Sequence, residues 1–386
     1  MHLLILASYG PSLINFRGPL IRDIISAGHQ VSVGAPDMDD SLRGTIEGMG
    51  AQVFETPLER NSTTMRADLR YHKMLYRMMK QLRPDGVLTY TIKPNIWGAF
   101  AARRAGIPSY SLVTGLGFAF TGAGQRESVK SRITGTIARM LYRMAAGFNR
   151  KVIFQNPDDR ADFIAAGCLK DDTKTALVDG SGLDLQHYAR VPLADGPVFL
   201  MITRLLVSKG VLEYADAARR LRALHPKARF ILVGPHDGGL DAVDPALVEE
   251  WQQQGVLEYL GPAQDVRPHI AEASVYVLPS YREGTPRSVL EAMAMGRAIV
   301  TTDAPGCRET IRDGEEGFLV EPRNAAALAD AMARFLDDPS LAASMADKAH
   351  SRAVEKYDAL RINRQMMAEL GLLPSSRSAD EPHFID

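Results

Sequence analysis

Two carboxylates stand eight positions apart in Glu283-Gly284-Thr285-Pro286-Arg287-Ser288-Val289-Leu290-Glu291, just after the apolar run Val275 to Leu278. Eight positions are slightly more than two helical turns, so a helix beginning near Thr285 turns Glu291 inward and leaves Glu283 in the loop above it. Gly284 lets a ligand approach the backbone closely, and the N–H groups of the first helical turn attract an anion. Carboxylates accept hydrogen bonds from sugar hydroxyls, which gives such an anion site a sugar on each side. The plain alternative is an acidic loop followed by a helix that carries a chance glutamate.

A second charged segment follows the run Val198 to Ile202: Thr203-Arg204-Leu205-Leu206-Val207-Ser208-Lys209-Gly210-Val211. A guanidinium and an ammonium five residues later can clamp a diphosphate without a metal. Taken alone this is as well read as a solvated loop. That reading becomes poor beside the glutamate pair, the run Phe230 to Val233 ending in Gly234, and Leu260-Gly261-Pro262.

Together these segments resemble the retaining GT-B glycosyltransferases of family 4, over nearly the whole chain. The carriers are the Arg204 to Lys209 loop, Gly261 before a helix, the Glu283 to Glu291 motif, Pro305-Gly306 with Glu309, and Gly314 with Gly317-Phe318-Leu319-Val320. The resemblance implies that Arg204 and Lys209 hold the donor diphosphate, that Glu283 contacts the donor sugar, and that Glu291 binds the ribose hydroxyls. Gly284, Thr285 and Pro286 then present backbone to the donor, and the base lies near Leu260 to Asp265, with Gly261 and Asp265 in that loop. No cofactor and no metal are expected. Asp37-Met38-Asp39, a D-x-D, reads as a chance turn, because the diphosphate already has Arg204 and Lys209.

In the first half, Asn15-Phe16-Arg17-Gly18-Pro19-Leu20, Tyr90-Thr91-Ile92-Lys93-Pro94-Asn95 and Val113-Thr114-Gly115-Leu116-Gly117 are similar to a narrower group. These are bacterial transferases that extend undecaprenyl-diphosphate-linked sugars. Their resemblance implies acceptor contacts at Asn15, Arg17, Lys93, Asn95 and Thr114. Lys93 offers a compact charge suited to phosphate, Asn95 can bond sugar hydroxyls, and Pro94 stiffens the turn; the alternative is a helix-start lysine that serves solubility. Two features depart from the family. Gly10-Pro11-Ser12-Leu13 stands where a Gly-Gly loop is usual, and Thr114-Gly115 stands where many relatives place a histidine. No general base is assigned, since an acceptor attacking on the leaving-group face can pass its proton to a donor phosphate oxygen. A nucleotide-sugar epimerase of similar fold and a catalytically silent binding subunit are the competing classes. A dehydrogenase is disfavoured because no G-x-G-x-x-G follows the first strand.

The elements that must position these residues alternate strand and helix, the order of parallel α/β layers. Expected strands are Leu3 to Ala7, Val31 to Ala35, Val87 to Thr91, Ser109 to Val113 and Val152 to Gln155. A second series comprises Val198 to Ile202, Phe230 to Val233, Leu257 to Leu260, Val275 to Leu278 and Ala298 to Thr302. The expected architecture is α/β, GT-B, with two doubly wound Rossmann-like domains facing a central cleft. Residues 1–190 form the acceptor domain and 191–372 the nucleotide-sugar domain. The break is expected near the Pro/Gly stretch from Val191 to Pro197, with the last helices crossing back to the first domain and 373–386 forming a disordered tail.

Length and composition agree with two domains: 386 residues, 46% apolar, 24% charged and 7% aromatic. Two cysteines, Cys168 and Cys307, make neither a disulfide framework nor a zinc site. The apolar start Leu3 to Ala7 is too short for a signal peptide and reads as a buried strand. Asn61-Ser62-Thr63 matches a glycosylation sequon but carries no meaning without a secretory leader.

The net charge of −1 hides an asymmetry, since residues 1–190 hold 24 basic and 17 acidic residues and the remainder 21 and 29. Arg66, Arg70, Lys73, Arg77 and Lys80 form one stripe on a helix, with Asp68 turned away. Arg132, Arg139 and Arg143 follow on a later helix beside the apolar set Val129, Ile133, Ile137, Met140 and Met144. No RNA- or DNA-binding signature accompanies this charge, which excludes nucleic acid in favour of an anionic membrane surface. The expected partners are therefore a nucleotide sugar, a lipid-diphosphate-linked acceptor and that membrane, met from the cytoplasmic face of the inner membrane.

Overall fold

Runs of Leu, Ile and Val that are apolar at every position suit strands covered on both faces, as in parallel sheets. The computed structural model describes residues 1–59, 64–116, 129–194, 196–239 and 241–373, with backbone alone over 129–134. The sequon at 61–63 and the tail from 374 lie outside them.

The first sheet has seven parallel strands, β1 (His2–Leu6), β2 (Gln30–Ala35), β3 (Gln52–Glu55), β4 (Gly86–Tyr90), β5 (Ser109–Val113), β6 (Lys151–Phe154) and β7 (Thr175–Leu177). Their order is β3-β2-β1-β4-β5-β6-β7. Ile5 pairs with Val33 on one side and Leu88 on the other. Alternate residues of β1 feed two cores: Leu3 and Ile5 one, Leu4 and Leu6 the other. The second sheet is parallel as well: β8 (Val198–Ile202), β9 (Arg229–Val233), β10 (Glu258–Tyr259), β11 (Val275–Leu278), β12 (Ala298–Thr302) and β13 (Gly317–Val320), in the order β10-β9-β8-β11-β12-β13.

The two doubly wound sheets are as expected. Three edge strands, β3, β7 and β13, were not. β3 and β7 are three or four residues long and only partly buried, so they lack the continuous apolar run that marks a central strand.

The described residues fold into two compact units, one of Met1–Gly182 with the described segment that begins at Ala359, the other Leu183–Asp358. The division thus falls before the Pro/Gly stretch. Arg297 supplies the reason. It is fully buried and donates to the carbonyls of Val191 at 3.2 Å, Pro192 at 3.0 Å, Ile270 at 2.7 Å and Gly296 at 2.9 Å, which ties residues 191–192 into the second unit. The helix Ala359–Glu369 is bound to the first unit instead. Met366 and Met367 enter its core, Asn363 donates to Asp23 at 2.8 Å, and Glu369 pairs with Lys151. Both cysteines are buried free thiols. Among the described residues no helix is long and apolar enough to cross a membrane.

Candidate active site

Because every strand of the second sheet runs parallel, the carboxyl ends of β8, β9, β11 and β12 share one edge. β8 pairs with β9 on one side and β11 on the other, so the winding reverses between β8 and β11, where open α/β sheets hold their ligands. The loops at that point carry Arg204, Lys209 and Glu283.

These loops are fixed by backbone. A short helical turn, Val207–Lys209, ends at Gly210 with φ +78°, and a Cβ there would stand 2.2 Å from the Pro279 carbonyl oxygen. The Ser208 carbonyl accepts from the Tyr281 N–H at 2.9 Å and the Ser280 hydroxyl at 3.2 Å. Lys209 is thereby set beside the loop after β11, and its ammonium donates to Glu283 Oε1 at 2.5 Å, with the two side chains 19% and 15% exposed. Glu283 is held from the other side, its N–H donating to Pro305 O at 2.9 Å. Arg204 is far more open. Its guanidinium meets Asp237 at 2.7 Å with exposures of 58% and 28%, a surface pair worth about 0–1 kcal/mol and easily exchanged for a stronger anion.

Glu291 lies where the spacing puts it. The helix spans Arg287–Ala294, two residues later than expected, with Pro286 as its N-cap and no side chain capping it. Glu291 is buried, and Arg287, one turn earlier, donates to its Oε1 at 2.8 Å. The Tyr188 ring centre lies 6.0 Å from the Arg287 guanidinium, and burial, with the Glu291 charge nearby, pushes the Tyr188 pKa up to about 12. Gly284 is not among the glycines at positive φ, so its freedom of conformation is not used here.

After β10, Gly261 takes φ +74° and its carbonyl accepts from Gly234 N–H at 2.9 Å. Asp265 is exposed and gripped by two N–H groups of Arg267, Nε at 2.9 Å and Nη2 at 2.7 Å, which lowers its carboxyl pKa to about 2. Asp237, Arg287 and Tyr188 were missed by sequence reasoning. The i, i+4 spacing of Arg287 and Glu291 was a readable signal, whereas nothing local announces Tyr188 or Asp237.

The residues expected to meet an acceptor are less uniform. Asn15 is exposed at the end of the helix Pro11–Asn15, and Thr114 is half-buried just beyond β5. Arg17 is buried, donating to Ser181 Oγ at 3.2 Å and standing 5.2 Å from the centre of the Tyr90 ring. Asn95 corrects the expectation outright. It is fully buried, its amide donates to Leu112 O at 3.0 Å and the Tyr142 hydroxyl at 2.6 Å, and its oxygen accepts from Thr89 at 2.7 Å. Those bonds join β4, β5 and a helix, so Asn95 is a structural residue. Lys93 also differs, because its ammonium donates to Asp68 at 3.0 Å and to the Glu59 carbonyl at 2.7 Å. Asp68 is consequently turned toward the helix Ile92–Ala105 as the counter-ion of Lys93. Asp37-Met38-Asp39 does local work: Asp39 caps the helix Asp40–Gly48 by accepting from Leu42 N–H at 2.7 Å.

Arg66, Arg70, Lys73, Arg77 and Lys80 are all exposed on the helix Met65–Leu82. On the helix Val129–Phe148, Ile137, Met140 and Met144 are 47%, 65% and 44% exposed, with Arg143 exposed and Arg139 half-buried among them. The side chain of Arg132 lies outside the described part. The helix Ile92–Ala105 packs between these two.

Two parallel Rossmann-like sheets, with paired cations and carboxylates at the switch point of the second, define a glycosyltransferase of the GT-B class. Residues 18–178 match the family model described as glycosyl transferase 4-like domain, and residues 196–338 that described as glycosyl transferases group 1. The chain is 30% identical over 368 residues to the N,N'-diacetylbacillosaminyl-diphospho-undecaprenol alpha-1,3-N-acetylgalactosaminyltransferase of Campylobacter jejuni, covering 92% of this chain and 94% of that one. It is 29% identical over 324 residues to the UDP-Gal:alpha-D-GlcNAc-diphosphoundecaprenol alpha-1,3-galactosyltransferase of Escherichia coli, covering 79% and 77%. In structure it is similar to Anabaena HepE in complex with UDP and glucose, with a TM-score of 0.76 at 21% identity over 97% of this chain and 100% of that one. It is also similar to sucrose-phosphate synthase from Thermosynechococcus elongatus, with a TM-score of 0.80 at 19% identity over 96% and 98%. The chain belongs to this glycosyltransferase family.

Proposed function

We propose that the protein moves a sugar from a UDP-linked donor to a polyprenyl-diphosphate-linked sugar, with retention and without a metal, in the assembly of a bacterial polysaccharide or lipid-linked oligosaccharide. The observation that carries this reading is the near full-length similarity to a transferase whose name specifies a diphospho-undecaprenol acceptor and an alpha-1,3 product. An α product from an α-linked UDP sugar is net retention.

In this reading the bond from the anomeric carbon to the diphosphate oxygen breaks as an oxocarbenium-like sugar forms. The acceptor hydroxyl attacks the face the diphosphate leaves, and its proton passes to a departing phosphate oxygen. Arg204 exchanges Asp237 for phosphate. Lys209 keeps Glu283 with one N–H and turns its others to the diphosphate. The backbone N–H groups of Gly284 and Thr285 face the same charge, a preorganised arrangement that often supplies the largest catalytic effect, and Pro286, which has no N–H, fixes the turn that presents them. Glu283 contacts the donor sugar, Glu291 takes the ribose hydroxyls, and the loop of Gly261 and Asp265 meets the base. The first unit receives the acceptor through Asn15, Arg17 and Thr114.

The deciding assay supplies UDP sugars with a short polyprenyl-diphosphate sugar and follows product by mass spectrometry and anomeric NMR. An α-linked product whose rate is unchanged by EDTA is expected. A β-linked product, or a strict need for added divalent metal, would overturn retention or metal independence.

The basic stripe fits a peripheral enzyme at the cytoplasmic face of the inner membrane. Vesicles containing phosphatidylglycerol should bind the protein, and reversing Arg66, Arg70, Lys73 and Arg77 to Glu should release it. At about 1 kcal/mol per basic residue, four reversals weaken binding by roughly 10³ or more. The effect should fade with salt, since the Debye length is about 8 Å at physiological ionic strength. Binding indifferent to both the reversals and salt would place the membrane contact elsewhere.

A further inference from the structure

Tyr281 stands two residues before Glu283 in the loop after β11, and both its backbone and its side chain are bonded to the segment that carries Lys209. Its N–H donates to the Ser208 carbonyl at 2.9 Å, and its hydroxyl donates to Glu213 Oε1 at 2.7 Å. Ser208 belongs to the short helical turn Val207–Lys209, and Glu213 to the first turn of the helix Val211–Arg222. One residue thus grips both flanks of Lys209, from the same loop that carries Glu283, the partner of Lys209. Asp241 steadies the near flank by accepting from the Ser208 N–H at 3.2 Å and from the Ser208 hydroxyl. The Tyr281 ring is itself packed, with the Arg323 guanidinium 4.6 Å from its centre.

We infer that Tyr281 and Glu213 are positioning residues that preset the Lys209 ammonium for the donor diphosphate. The inference rests on the proposed role of Lys209 in holding that diphosphate. The second oxygen of Glu213 favours placement over stability as the use of the bond. Oε2 is buried and has no hydrogen-bond partner among the described residues. A half-satisfied buried carboxylate costs desolvation, so stability alone is better served by an apolar side chain at that position. Without the bond from phenol to carboxylate, the Lys209 turn keeps its backbone tie at Ser208 and loses the anchor on its other side. The ligand must then order the lysine as it binds, which lowers affinity.

The test is calorimetric titration of the full chain at pH 7 with UDP, and with GDP, ADP and dTDP in parallel to cover the base. The matching nucleoside, which carries no phosphate, is the control. Lys209→Ala should weaken the nucleoside diphosphate about tenfold or more, the size expected for a hydrogen bond between charged groups. Tyr281→Phe, which removes only the hydroxyl, should weaken it about fivefold, the cost of ordering one long side chain on binding, and leave the nucleoside within twofold. In the Lys209→Ala background Tyr281→Phe should change nothing further, because it acts through the ammonium. Glu213→Leu should reproduce Tyr281→Phe, and Glu213→Gln, which keeps an accepting oxygen, should recover most of that loss; this pair serves if Tyr281→Phe folds poorly. A Tyr281→Phe protein that binds as wild type does, weakens diphosphate and nucleoside equally, or shows the same effect with and without Lys209 would reduce Tyr281 and Glu213 to structural residues and leave Lys209 in place. A Lys209→Ala protein that binds the diphosphate as wild type does would sink the diphosphate role of Lys209 itself.

Discussion

Arg204→Ala and Lys209→Ala are each expected to lower turnover by about 10²-fold or more, because each removes charge from where the departing diphosphate develops it. The two variants should differ in stability. Arg204 makes an exposed pair with Asp237, which contributes about 0–1 kcal/mol, so its loss should leave the melting temperature almost unmoved. Lys209 neutralises a Glu283 side chain only 15% exposed, and its removal takes a half-buried cation away from that carboxylate, so a measurable drop is expected. Steady-state turnover and thermal melting on the same preparations separate the two effects. Turnover within twofold of wild type for both variants would remove the donor site from this edge of the sheet.

Gly306→Ala is expected to damage both fold and activity. Gly306 takes φ +81°, and a Cβ there would lie 2.1 Å from the Glu283 carbonyl oxygen and 2.7 Å from that of Gly284. The left-handed conformation alone costs roughly 1–2 kcal/mol for an L residue. The clash is with backbone, which no rotamer change relieves, so the loop carrying Glu283 must move. A total loss of about 2–4 kcal/mol is expected, with turnover down by about 10²-fold because small misplacements at a reacting centre are costly. Gly314→Ala is the control. It has φ +76° but nothing within 4 Å of the added Cβ, so it should lose about 1–2 kcal/mol and keep its turnover. Normal turnover in Gly306→Ala would show that the Glu283 loop does not depend on this contact.

The central strands were legible because a strand buried on both faces must be apolar at consecutive positions, and Leu3 to Leu6 or Phe230 to Val233 offer few other solutions. The short edge strands β3 and β7 were not, since they are chosen by a neighbour's free hydrogen bonds more than by their own side chains. The grouping of charges at the carboxyl edge of the second sheet was legible for a related reason. Arg204, Lys209 and Glu283 sit within a few residues of strand ends, and parallel pairing brings such ends together wherever the strands form. Glu291 followed from helical periodicity alone.

The outcome for the first unit shows what local pattern omits. Lys93 and Asn95 stand at the same kind of strand end, yet Lys93 is engaged by Asp68 and Asn95 is drawn into the core by groups on three other elements. The sequence by itself determined the α/β class and the tandem sheets, because these depend on periodicity, and it placed Arg204, Lys209 and Glu283 at the carboxyl edge of the second sheet because they lie close to strand ends. Tertiary structure alone decided that Arg297 draws residues 191–192 into the second unit, that Asp68 answers Lys93, and that the Tyr188 ring stands beside Arg287. Which buried charge or amide meets which partner is settled by packing between segments far apart in the chain, where each polar group must find a hydrogen bond or pay for desolvation.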